Sequence, residues 1–539
     1  MQFRMTFTAA AAALLSASCV LAENFVQPIL WQDLPDIDII RVGDAYYYSA
    51  SNMHFSPGAP ILRSYDLVNW EYLSHSIPVY DVDNPKFDLD GGNAYNGGVY
   101  ASSLRYNEVS ETFYWIGCLQ QVGRTYVYSA KDIEGPWKQT SVVADYCFYD
   151  DGLLLDDDGR IYIAYGKWVA DGNSAQIWAA ELTEDFQVKG SITTAFHTTP
   201  ELGYIEGCRF YKINGTYYIL VTNPGVGNGE IILKSSGDAL GPYDTWHRIL
   251  ENNGEPVPGA SSPYQGTLVE TKDGDWWYMA FVNRYPGGRI PVLAPLHWDG
   301  DGWPNVEFVN GADWGSTYPY PLPRHNVKPI NGTDEFASEK LGPQYEWNHN
   351  PDSTKWTIGD KDGGGLTLQT ATVTDDFFSA RNTLSHRILG PASIATIELD
   401  YSGLMDGDRA GLAVFRYDAA WIGVAKTGPD TVELQMTNNI LMESTNGWHT
   451  TNKGDVISLE TLPSSGSIWL RVNADISSST GTATFYYSTD GTAFSQMGEK
   501  HVMADGAVFF MGDRYGMFNF ATKNLGGEAV VKSFTLEEA

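Results

Sequence analysis

The sequence is poor in cysteine, with four in 539 residues at Cys19, Cys118, Cys147 and Cys208. None forms a Cys-x-x-Cys pair or joins a cluster of histidines, which excludes the zinc signatures. Positive charge is scarce too: 34 Lys and Arg face 66 Asp and Glu, for a formal net charge of -32. Such a field repels phosphate backbones and anionic headgroups, so nucleic acid and membrane surfaces are not expected as partners. A neutral polymer meets no such penalty, although acidity that merely keeps the protein soluble would look the same. Beyond the first residues no apolar run is long enough to span a bilayer.

Those first residues, MQFRMTFTAAAAALLSASCVLA, carry one Arg near the start, an apolar middle and the pair Val20 and Ala22 before Glu23. This is the pattern of a signal peptide over 1–22, and it predicts a secreted, extracellular protein. Asn214-Gly-Thr and Asn331-Gly-Thr then become candidate N-glycan acceptors. Loss of Cys19 leaves three cysteines in an oxidising compartment, for which one disulfide and one buried thiol is the simplest outcome. Cys118 with Cys147 is the preferred pair because each sits at or just beyond the end of a predicted strand; the other pairings remain open.

The chain is too long for one ordinary core, so two domains are expected. Abundant Tyr, Trp and Gly at only 19% charged residues points to short strands joined by turns, an all-β protein. From about residue 39 to 283 one pattern recurs: an apolar strand, a tight Gly, Asp or Asn turn, and an aromatic strand. Copies begin at Ile39, Gly97, Asp151, Glu206 and Tyr264, roughly 50 to 65 residues apart, near the period of one four-stranded propeller blade. Five copies predict a five-bladed β-propeller over 23–320. The prolines of STYPYPLPRHNVKPINGT mark a linker around 318–333. Period-two segments beyond it, such as ASIATIELDYS and SIWLRVNAD, predict an antiparallel β-sandwich over 333–539.

The first strand of each blade lines the channel, so an acid at its start can aim at the axis. Asp36, Asp150 and Glu206 hold such places in the first, third and fourth copies. Converging carboxylates suit hydrolysis of a glycosidic bond by inversion: one activates water and a protonated one serves the leaving oxygen. Asp36 is read as general base and Glu206 as general acid. Asp150 is read as the negative charge that raises the acid's pKa and orients it. Taken singly, each acid is explained as well by strand entry or turn chemistry, and for Asp156, Asp157 and Asp158 at a hairpin tip that plainer reading is adopted.

The same residues resemble glycoside hydrolase family 43, which includes β-xylosidases, α-L-arabinofuranosidases and arabinanases. PDIDIIRVGDAYYYSAS resembles the family's base segment and favours Asp36 over Asp38; YDDGLLLDDDGRIYIAYG resembles the modulator segment at Asp150; IEGCRFYKINGTYYI resembles the acid segment at Glu206. MHFSPGAPILRSYDLVNW, GGVYASSLRY and GGRIPVLAPLHWDGDGWP extend the likeness, and the last nominates Arg289 as a guanidinium in the pocket. His54, Phe55, Trp31 and Tyr100 are candidate sugar contacts through their ring faces, though core packing explains any one of them equally well. Trp276 and Trp277 are read as structural. Tyr264 stands where many relatives have His before Gln-Gly; with Gln265 it joins the substrate-binding candidates, and the change argues against a central calcium. No metal or cofactor is expected.

The resemblance further implies a concanavalin-like C-terminal domain, whose Trp421 and Trp448 are either surface aromatics or core. The opening WQDLPDID and the PGGRIPVLAP segment look most like fungal enzymes of the family that remove α-L-arabinofuranosyl branches from arabinoxylan, some of them from doubly substituted xylose. A monomeric, exo-acting arabinofuranosidase is the reading. A β-xylosidase acting on xylo-oligosaccharides is the alternative, and a non-catalytic carbohydrate-binding propeller the remote one.

Overall fold

The structure, a computed structural model, describes residues 23–539 apart from 169–174, 225–228, 236 and 360–363. The predicted signal peptide therefore lies outside the described residues. Five sheets of four antiparallel strands follow one another in sequence order, each a meander. Their innermost strands are Asp38–Val42, Ser103–Asn107, Tyr149–Leu155, Glu206–Ile213 and Tyr264–Glu270, which we call the first strands of blades I to V. The short strand Asn24–Val26 pairs with Thr317–Pro319 after blade V and so ties the two ends of the propeller together.

The aromatic strands that marked the repeat supply the packing between blades. Tyr46 and Tyr48 of blade I share one buried cluster with Tyr278 and Phe281 of blade V, and Tyr162 of blade III shares another with Phe210 of blade IV. Trp277 is buried in the propeller core, whereas Trp276 is half-buried and lines a cavity with Arg105 and Lys212 of other blades. The hairpin acids do more than turn the chain: Asp156 takes the Lys212 ammonium at 2.6 Å and the Tyr217 hydroxyl at 2.8 Å, latching blade III to blade IV. Cys118 and Cys147 form a disulfide across 29 residues, and Cys208 is a buried free thiol.

The C-terminal domain stacks a seven-stranded on a nine-stranded antiparallel sheet over an aliphatic core. Gly332–Asp334 already pairs with the last strand, Glu528–Glu538, so the sandwich starts there. Trp421 is core, 5% exposed, while Trp448 is half-buried and lies edge-on to Phe509 at 4.8 Å.

The two domains meet over a buried, charged seam. Ser56 and Trp347 exchange backbone hydrogen bonds at 2.9 and 2.6 Å. Beside them the fully buried Glu346 receives Arg387 at 3.1 Å, His75 at 3.1 Å and Arg514. The Arg387 and Arg514 guanidiniums, with the hydrogen bond to His75, hold the Glu346 carboxyl well below the usual range against its burial. Removing one partner of such a group strands the others without counter-charge, which costs about 3–5 kcal/mol. Glu346→Ala should therefore melt well below the parent in a thermal scan; an unchanged melting temperature would show the seam to be dispensable.

Candidate active site

Local backbone geometry brings the acids together. In blades III, IV and V the pairing of the first two strands slips at Tyr149/Gly152, Glu206/Arg209 and Tyr264/Thr267, the mark of a β-bulge at each strand start. The extra residue takes a left-handed conformation: Asp150 at φ 49°, Gly207 at 73° and Gln265 at 49°; Asp36 at 59° holds the matching place before blade I. A bulge re-aims its side chain, here toward the axis. Asp36 and Asp150 are thus equivalent, and Glu206 sits one position earlier in its blade, at the place of Tyr149. At Gly207 only glycine fits well, because a Cβ would lie 3.1 Å from the Gln265 side chain.

Asp36 and Asp150 are 3% and 4% exposed, and Glu206 is half-buried. Asp36 accepts the Ser51 hydroxyl at 2.6 Å and the Arg289 guanidinium at 2.9 Å. Glu206 accepts the Tyr204 hydroxyl at 2.7 Å and a hydrogen bond from Tyr149. Burial raises the Asp150 pKa well above the ordinary carboxylate value, and the charges of Glu206 and Asp36 raise it further. Burial also raises Glu206, against the hydrogen bond from Tyr204 and the charge of Arg289. Carboxyls that hold protons, set beside one paired to a guanidinium, can donate to a leaving oxygen and accept from water at the same site.

A second arginine works from below. Arg209, 1% exposed and three residues beyond Glu206, donates to the backbone oxygens of Asp36 at 2.7 Å and Ile37 at 2.9 Å. It also faces Asp38 at 3.6 Å, which Arg105 meets at 2.6 Å. Asp38 is thereby spoken for as a structural ion, while Asp36 keeps the pocket side.

Of the expected sugar contacts, Tyr100, Tyr264, Gln265 and Arg289 stand at the carboxylates. Tyr100 is half-buried near Asp36 and Asp150, Tyr264 shares its hydroxyl with Asn283, and the Gln265 side chain lies over Gly207. Three others lie away from the carboxylates. His54 is 0% exposed, bonded to Asn348 at 3.0 Å and packed on Tyr95 and His349; Phe55 is 2% exposed beneath Arg514; Trp31 packs on Gly390 and the sandwich core. All three belong to the seam, because the sandwich covers a propeller face that looks like open pocket in sequence.

Several site residues escaped the sequence reading. Tyr204 lies in the bend two residues before Glu206, outside the strand, so strand alternation gave no signal for it. Phe510 carried none either: it comes from the sandwich, yet its ring lies 5.2 Å from the Arg289 guanidinium carbon and 6.3 Å from the Tyr100 ring. One wall of the site is therefore built by the second domain.

A carboxyl raised in the folded state contributes its stability fully below the unfolded value near 3.9 and loses it as pH rises through the folded value. Asp150→Asn stays neutral, so it should melt above the parent at pH 7–8 and show no gain near pH 4. Melting curves at both pH values check this; equal gains at both would remove the charge argument.

Residues 25–304 match the family "Glycosyl hydrolases family 43", and 333–537 match "Beta xylosidase C-terminal Concanavalin A-like domain". A β-xylosidase from Formosa agariphila is 30% identical over 95% of this chain and 90% of its own length. A non-reducing end α-L-arabinofuranosidase from Bacteroides ovatus is 30% identical over 73% and 74%. Both are bacterial, where the opening segment had pointed to fungal enzymes. A solved family 43 glycoside hydrolase, engineered to display both endo-xylanase and exo-arabinofuranosidase activity, superposes with a TM-score of 0.90 at 39% identity, covering 96% of this chain and all of that one. With a propeller that brings three acids to one end of its axis and a sandwich that matches in its own right, the chain belongs to glycosyl hydrolases family 43.

Proposed function

We propose that this glycoside hydrolase acts by inversion on a terminal sugar and removes α-L-arabinofuranosyl branches from arabinoxylan. The observation that carries the reading is the division of charge among three acids: Asp36 is paired to Arg289, while Asp150 and Glu206 hold protons above the ordinary range. Asp36 acts as base on water and Glu206 protonates the leaving oxygen; Asp150 and Glu206 are coupled, so that ionisation of Asp150 keeps the remaining proton on Glu206. Arg289 orients Asp36 and offers its remaining donors to sugar hydroxyls. Phe510 closes one side of the site, which favours a chain end or branch over an open chain. The exo-arabinofuranosidase activity of the solved relative and the name of the Bacteroides ovatus enzyme support arabinofuranose. The Formosa agariphila relative supports a second reading, a β-xylosidase on xylo-oligosaccharides. We propose also that residues 1–22 direct export; the Cys118–Cys147 disulfide suits an oxidising compartment.

A proton NMR time course on branched arabinoxylan, beside linear xylo-oligosaccharides, tests the proposal. It predicts arabinose appearing first as the β-anomer with the backbone intact. Xylose from the linear oligosaccharides alone would establish the second reading, and first appearance of the α-anomer of arabinose would overturn inversion.

A further inference from the structure

Asp33 lies three residues before Asp36, in the extended lead-in to blade I, and is 3% exposed. Its carboxylate accepts the backbone N–H of Arg289 at 2.8 Å and the backbone N–H of Gly512 from the sandwich. Its own carbonyl accepts the Arg387 Nε at 2.7 Å, so the segment bearing it is pinned to the seam.

Backbones meet closely around this carboxylate. A Cβ on Gly288 would strike both the Asp33 carboxylate and the Gly512 nitrogen, and a Cβ on Gly512 would strike the Gly287 carbonyl. The Asp513 N–H donates to the Pro286 carbonyl at 2.9 Å across the same seam. Two residues away, Phe510 has φ 60°, a strained value for a phenylalanine, and its ring lies against Arg289. The other end of this loop is held by its own domain: the fully buried Arg416 donates to the carbonyls of Gly506 at 2.7 Å and Ala504 and faces Asp513 at 3.2 Å.

We propose that Asp33 is a positioning residue: through one carboxylate it joins Arg289 of the propeller to Gly512 of the sandwich and so sets the Phe510 ring against the Arg289 guanidinium. An anion suits the task because it can accept two N–H groups at once without presenting a donor to either. The asparagine amide keeps one acceptor oxygen, loses the charge, and replaces the other oxygen by a donor. The kinetic half of the test rests on the function proposed above; the structural half does not.

In the full-length protein, Asp33→Asn should speed amide hydrogen exchange across 504–513 by about tenfold, with little change in strands far from the seam. It should lower kcat/KM for an aryl arabinofuranoside or xyloside by about tenfold, mainly through KM, while Asp33→Asn/Phe510→Ala should be no worse than Phe510→Ala by more than about threefold. Should Asp33→Asn not fold, Gly512→Ala presses the same seam from the other side and should also speed exchange in the loop. Unchanged exchange in the folded variant, or losses that multiply in the double variant, would overturn the role. A parent enzyme inactive on both glycosides would sink the functional proposal and leave the exchange result to decide on Asp33.

Discussion

Three carboxylates can share one end of a propeller axis only if cationic charge is brought to them, and two buried guanidiniums bring it. An unpaired carboxylate buried in a low dielectric takes up a proton or costs several kcal/mol, so the placement of each cation decides which acid stays charged. Arg289 pairs with Asp36 itself, and Arg209 holds the backbone carbonyls of Asp36 and Ile37 from the strand that carries Glu206. Asp150 makes no ion pair among the described residues and feels its two acidic neighbours instead. One fold thus supplies acids in unlike protonation states within a single site, which is what acid and base work at one pH requires.

The propeller was legible because its repeat is written locally. Each inner strand, turn and aromatic strand has its own pattern, and the five copies coincide with the five sheets. The acids could be singled out because each stands at the start of its copy of that repeat. What the pattern hid was the bulge: Asp36 and Asp150 share the left-handed position, but Glu206 stands one residue earlier, with Gly207 in that place. Alternation alone could not show the slip, since a bulge breaks the period on which such a reading rests.

The contacts between domains were not legible at all. His54, Phe55 and Trp31 sit in motifs next to the site and have the chemistry of sugar contacts, yet the sandwich covers them. Phe510 lies in a stretch with no motif and reaches Arg289. Both outcomes follow from docking two preformed surfaces, where which residues meet depends on the orientation of the bodies and not on any local period. The buried Glu346 with its two guanidinium partners and His75 reports the same dependence: read singly, His75, Arg387 and Arg514 are ordinary strand residues.

The division of labour between Asp36 and Glu206 is the centre of this account, and the dependence of Glu206→Ala on the leaving group tests it most directly. Loss of the acid should lower kcat/KM by about 10²–10⁴-fold on substrates whose leaving group needs a proton, and far less on aryl glycosides with acidic phenols. Equal losses on both kinds of substrate would mean that Glu206 does not protonate the leaving oxygen, and the assignment of roles at this site would fall.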